Sequence, residues 1–229
     1  YQPGDPTRWV RARATARHPD QLFVNEFEQE RVTEVGLIVD VRLSSNVHTL
    51  RGALLEHSIQ AAAALGTALL DQGNRVGLLL YGNTLNWTYP GYGKLQRERV
   101  LRALARAELG DAPVFEDFDR IPTRLFPARS QLILISPLKS RDRDVLRRLH
   151  ARGYQILVIT PNPILFERQA HGPGAALDLA ARLANLERAT LLADIRRAGI
   201  TVIDWDVALP FHQLADTALS RPMPQRGRI

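Results

Sequence analysis

A chain of 229 residues that is 45% hydrophobic and 24% charged can bury one sizeable core. It contains no cysteine, which excludes disulfides, thiolate catalysis and cysteine-ligated zinc together and fits a reducing compartment. The net charge of +6 is spread along the chain, and all but Lys94 and Lys139 of the 30 basic residues are arginine, so the clustered stripe of a nucleic-acid binder is missing and nucleic acid is not the expected partner.

No apolar run reaches the roughly 18 to 20 residues that span a bilayer; the longest, Ile59–Leu70, is interrupted by Gln60 and Thr67. From Glu34 onward, short apolar runs alternate with segments of helical periodicity, the pattern of βαβ units and a mostly parallel sheet. The spacing predicts a strand over Val35–Asp40 and a helix over Leu50–Gln72, whose Leu54, Ser58, Ala62, Leu65 and Leu69 form one stripe. A strand at Arg75–Tyr81 follows, then a short antiparallel edge strand over Leu85–Tyr89 that ends at Pro90, where an edge tolerates proline. Further on, the pattern predicts a helix over Leu95–Leu109, a strand over Gln131–Ser136, a helix over Asp142–Arg152 and a strand over Gln155–Thr160. The last elements are a helix over Ala175–Ala198, a strand over Ile200–Asp204 and a short helix near Phe211–Leu219. Gly73, Gly153 and Gly199 each stand between a helix and a strand, where a left-handed residue stops the helix. The reading therefore divides the chain into residues 1–33, a domain over residues 34–219, and a tail over residues 220–229 that is expected to be mobile.

In an open, doubly wound sheet, ligands bind at the carboxyl ends of the strands, near the point where strand order reverses. Asp40 to Ser45, Gly82 to Thr84, Ser136 and Pro137, Thr160 to Asn162 and Asp204 to Asp206 are expected there. That rim carries no phosphate loop, no G-x-S-x-G elbow and no H-E-x-x-H helix, and the 6 histidines have no ligand spacing. Gly91 and Gly93 read as a plain turn, and Asp204 and Asp206 have no nucleophile near them in sequence. The informative segment is Asp40-Val41-Arg42-Leu43-Ser44, directly after the apolar first strand. It has the context of a metal-ion-dependent adhesion site, whose D-x-S-x-S loop offers oxygens to a hard cation such as Mg²⁺. Asp40 and Ser44 match the first and third positions, whereas Arg42 replaces the second and brings a positive charge. Arg42 is expected either to fold over Asp40 as an internal cation or to point to solvent. The candidate binding rim is Asp40, Arg42, Ser44, Ser45, Ser136 and Asn162. No cofactor is expected; Mg²⁺, held by Asp40 and Ser44, is the alternative.

Two stretches carry a family resemblance. Tyr1-Gln2-Pro3-Gly4-Asp5 with Arg8, Val10, Thr15, Ala16 and Arg17, continuing to Leu22-Phe23-Val24-Asn25-Glu26-Phe27-Glu28, resembles the signature of the "domain of unknown function 58" family. It departs from that signature at Pro6, where a second acid is usual, and at Ala12, where a tryptophan is usual. Arg182-Leu183, Leu186-Glu187-Arg188 and Gly199 to Trp205 are similar to the family's last helix and strand.

The resemblance implies a von Willebrand factor A-like α/β core with sheet order 3-2-1-4-5-6, one antiparallel edge strand and helices on both faces, preceded by a signature segment with Gly4, Asp5, Arg8 and Arg17. It also implies an upstream membrane-anchoring region, a position at the cytoplasmic face, and a MoxR-type AAA+ ATPase as protein partner in chaperone-like or complex-maturation work. The first reading is thus a non-catalytic protein-interaction module. The alternatives are a Mg²⁺-dependent ligand-binding domain and a hydrolase or nucleotide-binding enzyme on the same sheet. Arg8, Arg11, Arg13 and Arg17 add a fourth reading, contact with an acidic partner or lipid headgroups.

Overall fold

The computed structural model describes residues 33–50, 52–82, 85–127, 130–171 and 174–213. Gly4, Asp5, Arg8 and Arg17, the division at residue 33 and the tail over residues 220–229 rest on residues outside these, as does the end of the helix expected near Phe211–Leu219.

Among the described residues, eight strands, β1 Glu34–Asp40, β2 His48–Thr49, β3 Gly52–Ala53, β4 Arg75–Tyr81, β5 Leu85–Gly91, β6 Gln131–Ile135, β7 Gln155–Pro161 and β8 Thr201–Trp205, are interspersed with five α-helices. The helices are α1 Leu54–Asp71, α2 Gly93–Leu104, α3 Asp142–Ala151, α4 Pro163–Ala170 and α5 Ala175–Arg197. Among the described strands, the main sheet runs β5-β4-β1-β6-β7-β8, with only the β4–β5 pairing antiparallel, and β2 pairs with β3 alone. This is an α/β fold on a mostly parallel sheet, as the alternating pattern predicts.

β1 lies centrally and is buried on both faces from Val35 to Asp40, which is why its sequence is a continuous apolar run. Val35, Leu37 and Val39 pack under Leu54, Leu65 and Leu69 of α1 and Val100 and Leu104 of α2, while Ile38 and Tyr81 join Val145, Leu146 and Leu149 of α3 and Leu192 and Ile195 of α5. Gly73, Gly153 and Gly199 have φ of 82°, 93° and 82°, the left-handed conformation that ends each helix at low steric cost.

Most boundaries fall within two residues of the sequence reading; two helix ends and one additional helix depart further from it. Leu50, Gly52 and Ala53 do not belong to the first helix: Gly52, at φ 130°, closes the β2–β3 hairpin, and the helix begins only at Leu54, whose N–H donates to Val47 O at 2.9 Å. α2 stops at Leu104 rather than Leu109, because the chain must turn so that Gly110 can bridge to β1's exit. There Gly110 N donates to Val41 O at 2.8 Å and Leu43 N to Gly110 O at 2.7 Å. α4 has no counterpart in the periodicity reading; Asn162 caps it, its Oδ1 accepting from Ile164 N and Leu165 N, with Pro163 at the first helical position.

Candidate functional site

Strand order reverses between β4 and β6 on either side of β1, so the carboxyl end of β1 opens onto the crevice where such sheets bind ligands. Asp40 ends β1 there with no exposed surface. Two residues on, Arg42 turns back, and the whole residue is 1% exposed.

Arg42 Nε donates to Asp40 Oδ1 at 2.9 Å and Nη2 to Asp40 Oδ2 at 2.8 Å. On its far side, Nη1 donates to Asp142 Oδ1 at 3.0 Å and Nη2 to Asp142 Oδ2 at 2.8 Å. The remaining Nη1 hydrogen goes to Glu116 O at 2.8 Å. A guanidinium has five N–H donors, and all five are used. The Phe118 ring closes one face, 3.8 Å from Arg42 Cζ, where a desolvated cation–π contact adds to the ion pairs. Of the two outcomes expected for Arg42, the structure has it folded over Asp40.

Asp40 is saturated as well. Besides Arg42, it accepts from Arg42 N at 3.0 Å, Ser45 Oγ at 2.8 Å and Ser136 Oγ at 2.6 Å. Those oxygens are the ones a divalent cation would need, and with a buried guanidinium against them neither lone pairs nor charge are left for it. The residues present do not fit Mg²⁺. Among the described residues, no cluster of three His, Asp or Glu side chains could hold a metal elsewhere.

One cation is shared by two buried carboxylates. Burial works against the charge on Arg42, but its hydrogen bonds and proximity to Asp40 and Asp142 outweigh that and hold its pKa above the usual arginine value. Burial raises the Asp142 carboxyl above the usual carboxylate range, and Arg42 and the Lys139 N–H only partly offset it. Burial also pushes the Tyr81 phenol up to about 12. Its O–H donates to Asp117 O.

Two backbone features hold the cluster. Gly82 lies so close to the β1 exit that a Cβ there would stand 2.5 Å from Val41 C and O and 2.7 Å from Arg42 N. After β6, Leu138 adopts φ 65°, a left-handed conformation that costs a non-glycine residue about 1–2 kcal/mol. Its N–H donates to Ser136 Oγ at 3.0 Å, and this turn delivers Lys139 N to Asp142 Oδ2 at 2.7 Å. Above the cluster lies a cleft of about 260 Å³, lined by Leu43, Ser44, Gly110, Asp111, Pro113 and Glu116 with Arg42 beneath.

A family model described as protein of unknown function DUF58 matches residues 1–159. The chain belongs to that family. The matched stretch includes Asp40, Arg42, Ser45, Ser136 and Asp142. No curated protein matches the chain. Among solved structures, the chain is similar to an aerotolerance-related membrane protein from Bacteroides fragilis NCTC 9343 carrying multiple mutations to serine (TM-score 0.50, 14% identity, 82% of this chain and 97% of that one). It is similar also to the conserved hypothetical protein BatB from Bacteroides thetaiotaomicron (TM-score 0.49, 13% identity, 82% and 97%) and to the pilus adhesin SpaC from Lactobacillus rhamnosus GG (TM-score 0.53, 10% identity, 84% and 30%). At these identities the likeness is one of fold.

Of the rim residues expected from sequence, Asp40, Arg42, Ser45 and Ser136 converge. Ser44 does not: it is exposed and accepts from Lys139 Nζ at 3.2 Å, so the hydroxyl on Asp40 comes from the next residue. The tight turn Leu43–Ser45 is the cause, since three residues per turn bring Ser45 back over Asp40. Asn162 spends its side chain on the α4 cap. Asp204 and Asp206 separate: Asp204 pairs with Arg188 Nη2 at 2.8 Å, and Asp206 Oδ1 accepts from Ala208 N at 3.0 Å.

Sequence reading misses Asp142 and Arg188. Asp142 opens α3, where an acid is ordinary because it suits the helix dipole, so nothing local marks it. Arg188, 8% exposed on α5, donates to Pro137 O at 3.0 Å, Thr160 Oγ1 at 2.8 Å and Asp204, tying together the carboxyl ends of β6, β7 and β8. No helix among the described residues is long and apolar enough to cross a membrane.

Proposed function

We propose that this chain is a von Willebrand factor A-like, non-catalytic protein-interaction module in which Arg42 takes the place of the divalent cation. The observation that carries the proposal is the full engagement of Arg42, with all five donors on Asp40, Asp142 and Glu116 O. Counting only the strands of the main sheet, the order is 3-2-1-4-5-6, which supports the A-like assignment. The buried hydroxyls of Ser45 and Ser136 both donate to Asp40, and neither is presented to a substrate. The cleft above them, with Leu43 49% exposed at its lip, is the surface offered to a partner.

In the full-length protein this module works at the cytoplasmic face of a membrane, anchored through an upstream region, with a MoxR-type AAA+ ATPase as partner in chaperone-like or complex-maturation work. The family resemblance supports these assignments, and the membrane protein among the similar structures agrees with the anchor.

The test combines thermal unfolding with complex formation. Melting of the purified chain is expected to be the same in EDTA and in millimolar Mg²⁺, Mn²⁺ or Ca²⁺, and a saturable rise with one cation would overturn the metal-free reading. The full-length protein is expected to co-elute with the MoxR-type ATPase of the same organism in EDTA. Leu43→Asp should abolish that co-elution, and its failure to form at all removes the ATPase from the proposal.

A further inference from the structure

We infer that the free edge of β5, together with Arg99, Arg102 and Arg106, is a second interaction surface that takes up an extended, acidic segment of a partner protein as an added strand. This does not rest on the reading of the rim.

β5 pairs with β4 on one side only, so along its other side no described strand meets its backbone N–H and C=O groups. Sheet edges are ordinarily blunted by proline, bulges or charge. Here Pro90 and the bulge between Val76 and Leu78 occupy one end, while Asn86, Trp87 and Thr88 keep regular register with Leu80, Leu79 and Leu78. That regular stretch is the part open to pairing.

Beside it, Arg99 and Arg102 on α2 and Arg106 just past its end line a groove of about 390 Å³ with Asn86, Thr88 and Tyr89. All three arginines are exposed, and no acidic residue lines the groove. Arg102 has Glu98 at 3.6 Å, but neither Arg99 nor Arg106 has an ion-pair partner among the described residues. Among the described residues, the groove therefore carries uncompensated positive charge alongside unpaired backbone. Residues on one side of an added strand recur about every 6.5–7 Å, so acidic side chains at alternate positions would come within reach of successive arginines.

A polypeptide fits better than a nucleic acid. Only a strand satisfies the edge's donors and acceptors along its length; Tyr89, 74% exposed, offers one ring to stack on, and Trp87 is not a second free platform. Its ring meets Phe126 edge-on at 5.1 Å and packs over Gly77.

The test is fluorescence polarisation of the purified chain with a short labelled peptide alternating valine and glutamate. Binding is expected to saturate, to weaken with added salt, and to fall about tenfold or more in Arg99→Gln/Arg106→Gln, whose melting should be unchanged because both side chains are exposed. The same peptide N-methylated at alternate residues keeps its charge but loses strand donors, and it should not bind. Equal binding of the methylated peptide would overturn strand addition. So would an unaffected double variant, or tighter binding through the same arginines of single-stranded polyadenylate or phosphatidylserine vesicles.

Discussion

Arg42 and Asp142 lie 100 residues apart in the chain and meet through two hydrogen bonds, Nη1 to Oδ1 at 3.0 Å and Nη2 to Oδ2 at 2.8 Å. Asp40 holds the other side of the same guanidinium, so one arginine fastens the exit of β1 to the start of α3. The positive charge between the two carboxylates thus belongs to a side chain, which cannot dissociate.

Removing that side chain strands two buried carboxylates. Arg42→Ala is expected to lower stability by about 3–5 kcal/mol, measured by urea unfolding. Arg42→Lys should recover little of it, because a lysine cannot fill the fork between two carboxylates. A loss under about 1 kcal/mol would mean that the pair is not a main support of the site.

Arg42→Ser vacates the guanidinium volume while leaving oxygens of Asp40, Ser45, Ser136 and Asp142 around it. Hard divalent cations want about six oxygen ligands, some of which water can supply. The variant is expected to melt below the parent in EDTA and to regain stability in millimolar Mg²⁺. Equal indifference of parent and variant to Mg²⁺ would argue that the pocket cannot be converted to a cation site.

The pH dependence follows from Asp142, whose carboxyl burial raises above 3.8, with Arg42 and the Lys139 N–H opposing. A carboxyl with a raised folded pKa binds protons on folding, so its contribution is present at low pH and is lost as pH climbs from the ordinary carboxylate value through the raised one. Asp142→Asn lacks this titration. The stability of the parent relative to Asp142→Asn should therefore shrink as pH rises from about 4, the ordinary carboxylate range, towards neutrality. A difference that grows with pH would show that Arg42 outweighs burial at this carboxyl.

Gly82→Ala tests the seat of the cluster. Its Cβ would meet Val41 C and O and Arg42 N, all backbone, which cannot swing aside. A loss of about 1–3 kcal/mol is expected, read as a lower urea midpoint at unchanged m-value. An unchanged midpoint would mean that the Val41–Arg42 backbone shifts freely.

Much of the scaffold was legible because it depends on local pattern. The apolar run of β1 reads as a doubly buried strand whatever packs against it, and Gly73, Gly153 and Gly199 mark helix ends through their own backbone freedom. Asp40 was legible by position, as the acid that closes such a strand. The boundaries that moved were those set from outside: α2 ends at Leu104 because Gly110 must pair beside Arg42.

By itself, then, the sequence determined the α/β alternation, the acid at the end of β1 and the arginine two residues beyond it. Whether Arg42 would face solvent or Asp40, that Ser45 rather than Ser44 would reach the carboxylate, and that Asp142 would complete the site were decided only by tertiary structure. The physical reason is that strand and helix patterns are repeated every few residues and survive local reading. An ion pair forms only when distant backbone brings its partners within about 3 Å in a place that water cannot reach, where neither charge can be left alone.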